Sequence, residues 1–235
     1  MLEELRKKRV LVVAAHPDDE VLGCGGTISR FASEGCEVYT LILGEGITSR
    51  DASRDRHKRE EEIRELKKQA EEANKILGVK KIYTFDFPDN RFDTVPLLDI
   101  IKTIEEIKDG IKPDIVFTHH LGDLNIDHQV TFKAVMAACR PAIGESVKEI
   151  YSFEIPSSTE WNAPSLSTYF MPDYFVDVSK SIEAKINALK EYKSGLRDFP
   201  QPRSLEAVEL NAKQWGVKMG IESAEAFKTI RLIKK

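Results

Sequence analysis

Val10-Leu11-Val12-Val13-Ala14-Ala15, running directly into His16-Pro17-Asp18-Asp19-Glu20, is the stretch on which the fold turns. Six consecutive apolar residues read as a strand buried on both faces, the mark of a parallel sheet covered by helices. The residues after such a strand emerge at its carboxyl end, where open α/β sheets place their ligands. Here an imidazole and three carboxylates crowd into five residues. They repel one another and resist desolvation unless a cation or strong hydrogen bonds hold them, so a divalent metal is the economical explanation. Capping of the next helix would require one carboxylate and no histidine.

A second segment, His119-His120-Leu121-Gly122-Asp123-Leu124-Asn125-Ile126-Asp127-His128, comes after another short apolar strand candidate, Asp114 to Thr118, entered through Lys112-Pro113. In a parallel sheet both strand ends open onto the same edge, so histidines and aspartates over a hundred positions apart can meet around one ion. Asp127 is a suitable N-cap for a helix over Gln129 to Ala138, which would turn His128 toward the strand ends.

Outward from these two segments the chain alternates. Glu37 to Leu43, Lys81 to Phe85, Glu149 to Phe153 and Tyr174 to Val178 are further strand candidates. Helical patterns lie near Thr27 to Ser33, Arg56 to Leu77, Leu97 to Lys108 and Lys180 to Lys193, the last capped by Ser179. Such repetition predicts a doubly wound, mostly parallel, Rossmann-like sheet with helices on both faces, as a single domain over 1–235. The dense mixed charge of Asp55 to Glu72 is a solvated helix face. Glu154 to Asp173, with three prolines and Trp161, has no helix or strand pattern. An unpatterned stretch of that length is often a functional loop, and Trp161 could stack on a sugar ring.

Composition bounds the function. The 235 residues are 41% hydrophobic and 31% charged, with 35 basic against 39 acidic residues and a formal charge of −4, which argues against a nucleic-acid grip. Cys24, Cys36 and Cys139 are scattered and odd in number, so a disulfide framework is not expected and a reducing cytoplasm is. The basic run Arg6-Lys7-Lys8-Arg9 before Val10 mimics a signal peptide, but the apolar run is too short and cleavage would remove the first strand. No apolar run approaches the ~20 residues that span a membrane.

The chain resembles the LmbE/PIG-L family of zinc-dependent N-deacetylases over nearly its whole length. Its first motif, Pro-Asp-Asp-Glu after a histidine, stands intact at His16 to Glu20, with Val21-Leu22-Gly23-Cys24-Gly25-Gly26 following as the glycine-rich helix entry the resemblance implies. The second motif ends in Asp-His, here Asp127-His128. The resemblance implies His16, Asp19 and His128 as zinc ligands and Asp18 as the general base. Two neutral imidazoles and one carboxylate leave a tetrahedral Zn²⁺ positively charged with one open position, as in catalytic sites. Such an ion brings the pKa of its water to roughly 7, within reach of an adjacent carboxylate. Other divalent metals, iron among them, would also suit this donor set. The resemblance further implies an N-acetylated amino sugar or its conjugate as substrate and a homo-oligomer, a trimer or hexamer.

Two departures from the family pattern stand out. Many members read His-x-Asp-His in the second motif, where this chain has Asn125-Ile126-Asp127-His128. Asn125 can donate a hydrogen bond to an oxyanion but cannot become a cation. His119 or His120 could substitute, although a structural histidine satisfied by a backbone carbonyl is the simpler expectation. Asp127 would orient an imidazole. The second departure is that the family's substrate arginine, in Arg-x-x-Glu before Ala-x-x-x-Leu-Gly-Val, falls here on Leu66. Arg50, Arg54, Arg56 and Arg59 are candidate replacements, and Asp89 and Arg91 are the preferred ones, on a loop after a strand where they could grip hydroxyls or a phosphate. Two other readings compete with the deacetylase. One is a zinc-binding module without catalysis, prompted by Asn125. The other is a nucleotide- or S-adenosylmethionine-binding enzyme, prompted by Gly23-Cys24-Gly25-Gly26, whose glycines lie too far beyond the strand for a dinucleotide turn.

Overall fold

In the computed structural model, which describes residues 8–234, the apolar run forms the central strand β1 (Arg9–Ala14) of a seven-stranded sheet. Arg6 and Lys7 of the basic run lie outside the described residues. Strands β2 (Glu37–Gly44), β3 (Lys81–Phe87), β4 (Ile115–His119) and β5 (Glu149–Phe153) are all parallel to it. The sheet order is β3-β2-β1-β4-β5-β7-β6, with β6 (Tyr174–Asp177) at the edge and β7 (Ala224–Leu232) antiparallel to both its neighbours. The fold is therefore α/β, doubly wound and mostly parallel, as the alternation predicts.

Why β1 is apolar throughout is plain from its two faces. Val10, Val12 and Ala14 point into one core layer and Leu11, Val13 and Ala15 into the other, so neither parity of the strand meets water. The first layer lies under helices α1 (Asp19–Ser33), α2 (Glu60–Ile76), α5 (Ile182–Glu191) and α6 (Leu205–Met219). The second lies under α3 (Leu97–Ile111) and α4 (Ile126–Ala138). The chain runs from β1 outward through β2 to β3, then returns to the other side of β1 as β4. The sheet thus reverses direction between β1 and β4, and a crevice opens at their carboxyl ends. The loops 15–18 and 120–125 flank it.

Several boundaries differ from the sequence expectation. Helix α1 begins at Asp19, not near Thr27, and takes in the glycine-rich entry, whose glycines serve packing: a Cβ on Gly23 would stand 2.4 Å from Phe153 and one on Gly26 2.9 Å from Val178. Only Cys24, with φ −150° and ψ 26°, leaves helical geometry, and there the helix kinks. The N-cap of α4 is Asn125 and not Asp127: the Asn125 side chain accepts the Asp127 backbone N–H at 2.8 Å. Ser181 and not Ser179 precedes α5, the Ser179 hydroxyl instead donating to Asp177 at 2.6 Å. The stretch 154–173 contains one 3₁₀ turn, Thr159–Trp161, and buries Ile155, Ser158, Thr159 and Phe170. Among the described residues no helix is long and apolar enough to cross a membrane, and all three cysteines are buried and joined by no disulfide.

Candidate metal centre and active site

Each side chain of the first motif is aimed by local backbone. Asp18 adopts a left-handed conformation, φ 99°, unusual for a residue with a Cβ, and its carbonyl accepts the N–H groups of Val21 and Leu22 to start α1. Strain of this kind persists only where surrounding structure fixes it, and it collects at functional sites. The turn sends Asp19 back beneath the strand, where its Oδ2 accepts the His16 N–H at 2.9 Å. Asp18 and Asp19 both line, with His16, a cavity of about 300 Å³.

Three potential ligand atoms converge at the crevice. His16 Nδ1 lies 3.3 Å and His128 Nε2 3.2 Å from Asp19 Oδ2, and all three side chains are buried. Both ring nitrogens of His128 are enclosed without a well-formed hydrogen bond, Nδ1 facing Asp123 and Nε2 facing Asp19. An orphaned buried nitrogen facing a carboxylate and a second imidazole is costly as it stands, and a bound cation would satisfy it. The two-nitrogen, one-oxygen donor set suits zinc. Asp18 stands apart from this trio, its Oδ2 3.4 Å from Arg203 Nη1.

The remote face of each imidazole meets a carboxylate. His16 Nε2 bonds Asp127 Oδ2 at 2.9 Å, and the other oxygen of Asp127 accepts the Phe92 N–H at 2.8 Å. Asp123 Oδ1 lies 3.1 Å from His128 Nδ1. Asp123 is itself fixed by the Ser158 hydroxyl, by Thr159 Oγ1 at 2.6 Å and by the Asn125 N–H at 2.8 Å. Carboxylate partners of this sort set the tautomer and ring orientation of ligating histidines.

Electrostatics track the packing. Burial opposes charge on Asp19, yet the surrounding His128, His16 and His119 rings hold its pKa well below the ordinary carboxylate value. Burial pushes Asp18 up to about 6, with Arg203 opposing and Asp19 reinforcing the rise. Burial also raises Asp123, but His128, Ser158 and Thr159 more than compensate and bring it to about 2. His16 is raised because Asp127 and Asp19 outweigh the effect of burial.

The remaining sequence candidates divide. His119 accepts the Ala15 N–H at 2.8 Å and stacks on His128 at 3.9 Å, and burial lowers its pKa well below normal, so it is a neutral packing partner. His120 bonds the Thr168 carbonyl oxygen at 3.1 Å. Asn125 lines the cavity, its amide nitrogen donating to Asn90 Oδ1 at 2.9 Å, which leaves one amide hydrogen for a ligand. Asp89 also lines the cavity, buried, with Oδ1 3.4 Å from His16 Nε2. Arg91 and Trp161 are not in its wall, and Trp161 is 56% exposed. Arg54 and Arg56 bond Glu45 and Arg59 bonds Asp51, so of the four arginines after β2 Arg50 alone reaches the cavity. Leu66 lines it too, at the position of the family's arginine.

Sequence reasoning misses Asp123, Arg197 and Arg203 as site residues. Asp123 lies within the second motif, but nothing in its spacing distinguishes it from Asp127. Arg203 meets Asp18 across 185 positions, a contact that only the tertiary fold makes. Gly195 permits it from the same segment: a Cβ there would stand 2.9 Å from Asp18 Oδ2.

Fold and site together define a doubly wound α/β crevice with a cluster of side chains at its switch point that could hold a metal ion. The profile of the PIG-L family, GlcNAc-PI de-N-acetylase, matches residues 11–139. The chain belongs to this family. It is 32% identical over 195 residues to the uncharacterized deacetylase YaiS of Escherichia coli K12, covering 80% of this chain and 92% of that one. It is 30% identical over 208 residues to the diacetylchitobiose deacetylase of Thermococcus kodakarensis, covering 83% and 71%. The solved N,N'-diacetylchitobiose deacetylase of Pyrococcus horikoshii superposes with a TM-score of 0.73 at 26% identity, covering 95% of this chain and 84% of that one.

Proposed function

We propose that the protein is a zinc-dependent hydrolase that removes the N-acetyl group from an N-acetylglucosamine-type amino sugar or sugar conjugate. The observation that carries this reading is the separation of duties within one motif: Asp19 joins His16 and His128, while Asp18, one residue earlier, stands outside that trio beside Arg203 in the wall of the same cavity. His16, Asp19 and His128 would hold the ion, which when bound supplies a Lewis acid for the amide carbonyl and an acidified water. Asp18 takes the proton from the attacking water and returns it to the departing amine, so acetate and a free amino sugar result. Arg203 beside Asp18 steadies its charged form after proton loss. Asn125 offers its free amide hydrogen to the oxyanion in place of the family's histidine. Asp127 and Asp123 keep the two imidazoles presenting the correct nitrogens. Kinship with deacetylases acting on diacetylchitobiose supports an amino sugar as the scaffold that carries the acetyl group.

The test is acetate release by the zinc-loaded protein from N-acetylglucosamine, N,N'-diacetylchitobiose, nucleotide-linked and lipid- or thiol-linked N-acetylglucosamine. Turnover of one class establishes the reaction, and silence across the panel with zinc bound overturns it. Asp18→Asn is expected to keep zinc and lose on the order of 10²- to 10⁴-fold in kcat. Loss of the metal in that variant would make Asp18 a ligand and sink its assignment as base.

A further inference from the structure

The cavity wall above the acidic floor is basic. Arg50, Arg197 and Arg203 all line it, from the turn after β2 and from the segment between α5 and α6. Their partners differ. Arg203 has Asp18 as counter-charge. Arg50 and Arg197 have none: among the described residues neither forms an ion pair, and both donate to the same backbone carbonyl oxygen, that of Ser194, at 3.5 and 3.0 Å. Arg197 also donates to its neighbour's carbonyl, Leu196, at 2.8 Å. Two exposed guanidinium groups are thus gathered on one neutral oxygen, and water alone screens their repulsion. The chain's other arginines after β2 show the contrast, since Arg54, Arg56 and Arg59 are each matched by carboxylates. The shared carbonyl also keeps both groups within reach of one small oxyanion, and guanidinium forks suit phosphate and carboxylate geometry. Acidic groups in the same cavity, Asp18, Asp19 and Asp89, sit on its floor around His16 and leave the rim positive.

Resting on the deacetylase reading, we infer that Arg50 and Arg197 form an anion subsite, and that the substrate is an N-acetylated amino sugar carrying a phosphoryl or carboxylate group away from the acetamido carbon. The position that would hold the family's substrate arginine is apolar here, Leu66, so the cation that grips substrate enters from two other segments.

Two measurements test this, one without catalysis. The metal-stripped full-length protein is titrated calorimetrically with N-acetylglucosamine 6-phosphate, with N-acetylmuramic acid as the carboxylate arm, and with neutral N-acetylglucosamine. One of the anionic sugars is expected to bind roughly tenfold or more tighter than the neutral one, with the preference weakening as salt rises. The arm that wins identifies the anion. In Arg50→Gln/Arg197→Gln the anionic and neutral sugars should bind alike, while Arg64→Gln, a charge removed from the exposed face of α2, should leave the preference intact. Equal binding of all three sugars by the wild type, or a preference that survives the double variant, overturns the subsite. The second measurement is the ratio of kcat/KM for anionic over neutral substrate with zinc bound, expected to fall toward one in the double variant, mainly through KM. Anion-selective binding without turnover of any sugar would uphold the subsite and count against the deacetylase.

Discussion

Two buried charged assemblies lie along helix α1, one at its start and one at the Cys24 kink, and they are built on opposite principles. At the kink both charged groups are answered. Glu225 Oε1 accepts the Gly26 N–H at 3.0 Å and Lys185 Nζ at 2.6 Å, Oε2 accepts the Thr27 N–H at 2.7 Å, and Lys185 also donates to the Leu22 carbonyl at 2.8 Å. The carboxylate thus caps the second half of a helix that Cys24 interrupts. At the start of α1, His16, Asp19 and His128 converge with a buried nitrogen left unpaired. A satisfied buried ion pair is architecture, whereas an unsatisfied one needs a ligand. The two are coupled in space, since the kinked first turns of α1 carry Asp19.

The contrast can be broken most severely at the satisfied end. Glu225→Ala leaves Lys185 buried without a counter-charge and uncaps two N–H groups, and should cost about 3–5 kcal/mol of unfolding free energy, with or without zinc. Urea denaturation at neutral pH measures it. A loss near zero would mean that water or a shifted Lys185 replaces the carboxylate, and the distinction between the two assemblies would fail. At the unsatisfied end, zinc should stabilise the wild type by about 2.7 kcal/mol at a free concentration a hundred times Kd. His128→Ala should abolish that increment, in addition to the cost to the metal-free protein of deleting a fully buried ring that stacks on His119 and faces Asp19 and Asp123. Thermal unfolding with zinc and with a chelator gives both numbers, and an increment that survives would remove His128 from the ligand set.

Asp123 sharpens the same contrast by one step, because it touches the proposed ligand and not the ion. Asp123→Ala should lower zinc affinity roughly 10- to 100-fold, read by competition with a chelating dye. It should also loosen Ser158 and Thr159, so earlier proteolysis between 154 and 173 is expected. Unchanged zinc affinity would leave Asp123 as an anchor for that segment only.

How much of the fold and the site is legible in the sequence depends on which contacts are local. The run Val10 to Ala15 and its successor His16 to Glu20 announce a central strand and a metal-type loop, because periodicity and charge crowding are properties of neighbouring residues. His128 can be placed at the same sheet edge because parallel strands share their carboxyl ends. The kink at Cys24 and its capping by Glu225 cannot, since the partners are about 200 positions apart. The whole 192–219 region is similar: Arg203, Gly195 and helix α6 act through contacts with residues 18 to 23 and 154 to 160, and their own sequence carries no motif. Trp161 illustrates the converse, a conspicuous aromatic that the fold leaves outside the cavity wall.

Glu154 falls between the two assemblies in kind, a mostly buried carboxylate that is hydrogen-bonded but, among the described residues, forms no direct ion pair. Its Oε1 accepts Trp215 Nε1 at 2.8 Å and Asn211 Nδ2 at 3.1 Å, tying the end of β5 to α6. Burial raises its pKa above the ordinary value, with Trp215 and Asn211 opposing and Glu160 adding to the rise. Between the unfolded and folded pKa values the folded chain therefore holds more protons, so this group's contribution to stability is full at acid pH and is lost as pH rises through the folded pKa. Glu154→Gln keeps an acceptor for Trp215 and Asn211 and carries no charge at any pH. It should match the wild type near pH 4 and exceed it at pH 7 to 8 by a few tenths to about 1 kcal/mol, the scale of one buried acceptor. Denaturation across that range measures the difference. A variant less stable at neutral pH would mean that Glu154 is held as a carboxylate by its two donors and belongs with the satisfied assembly.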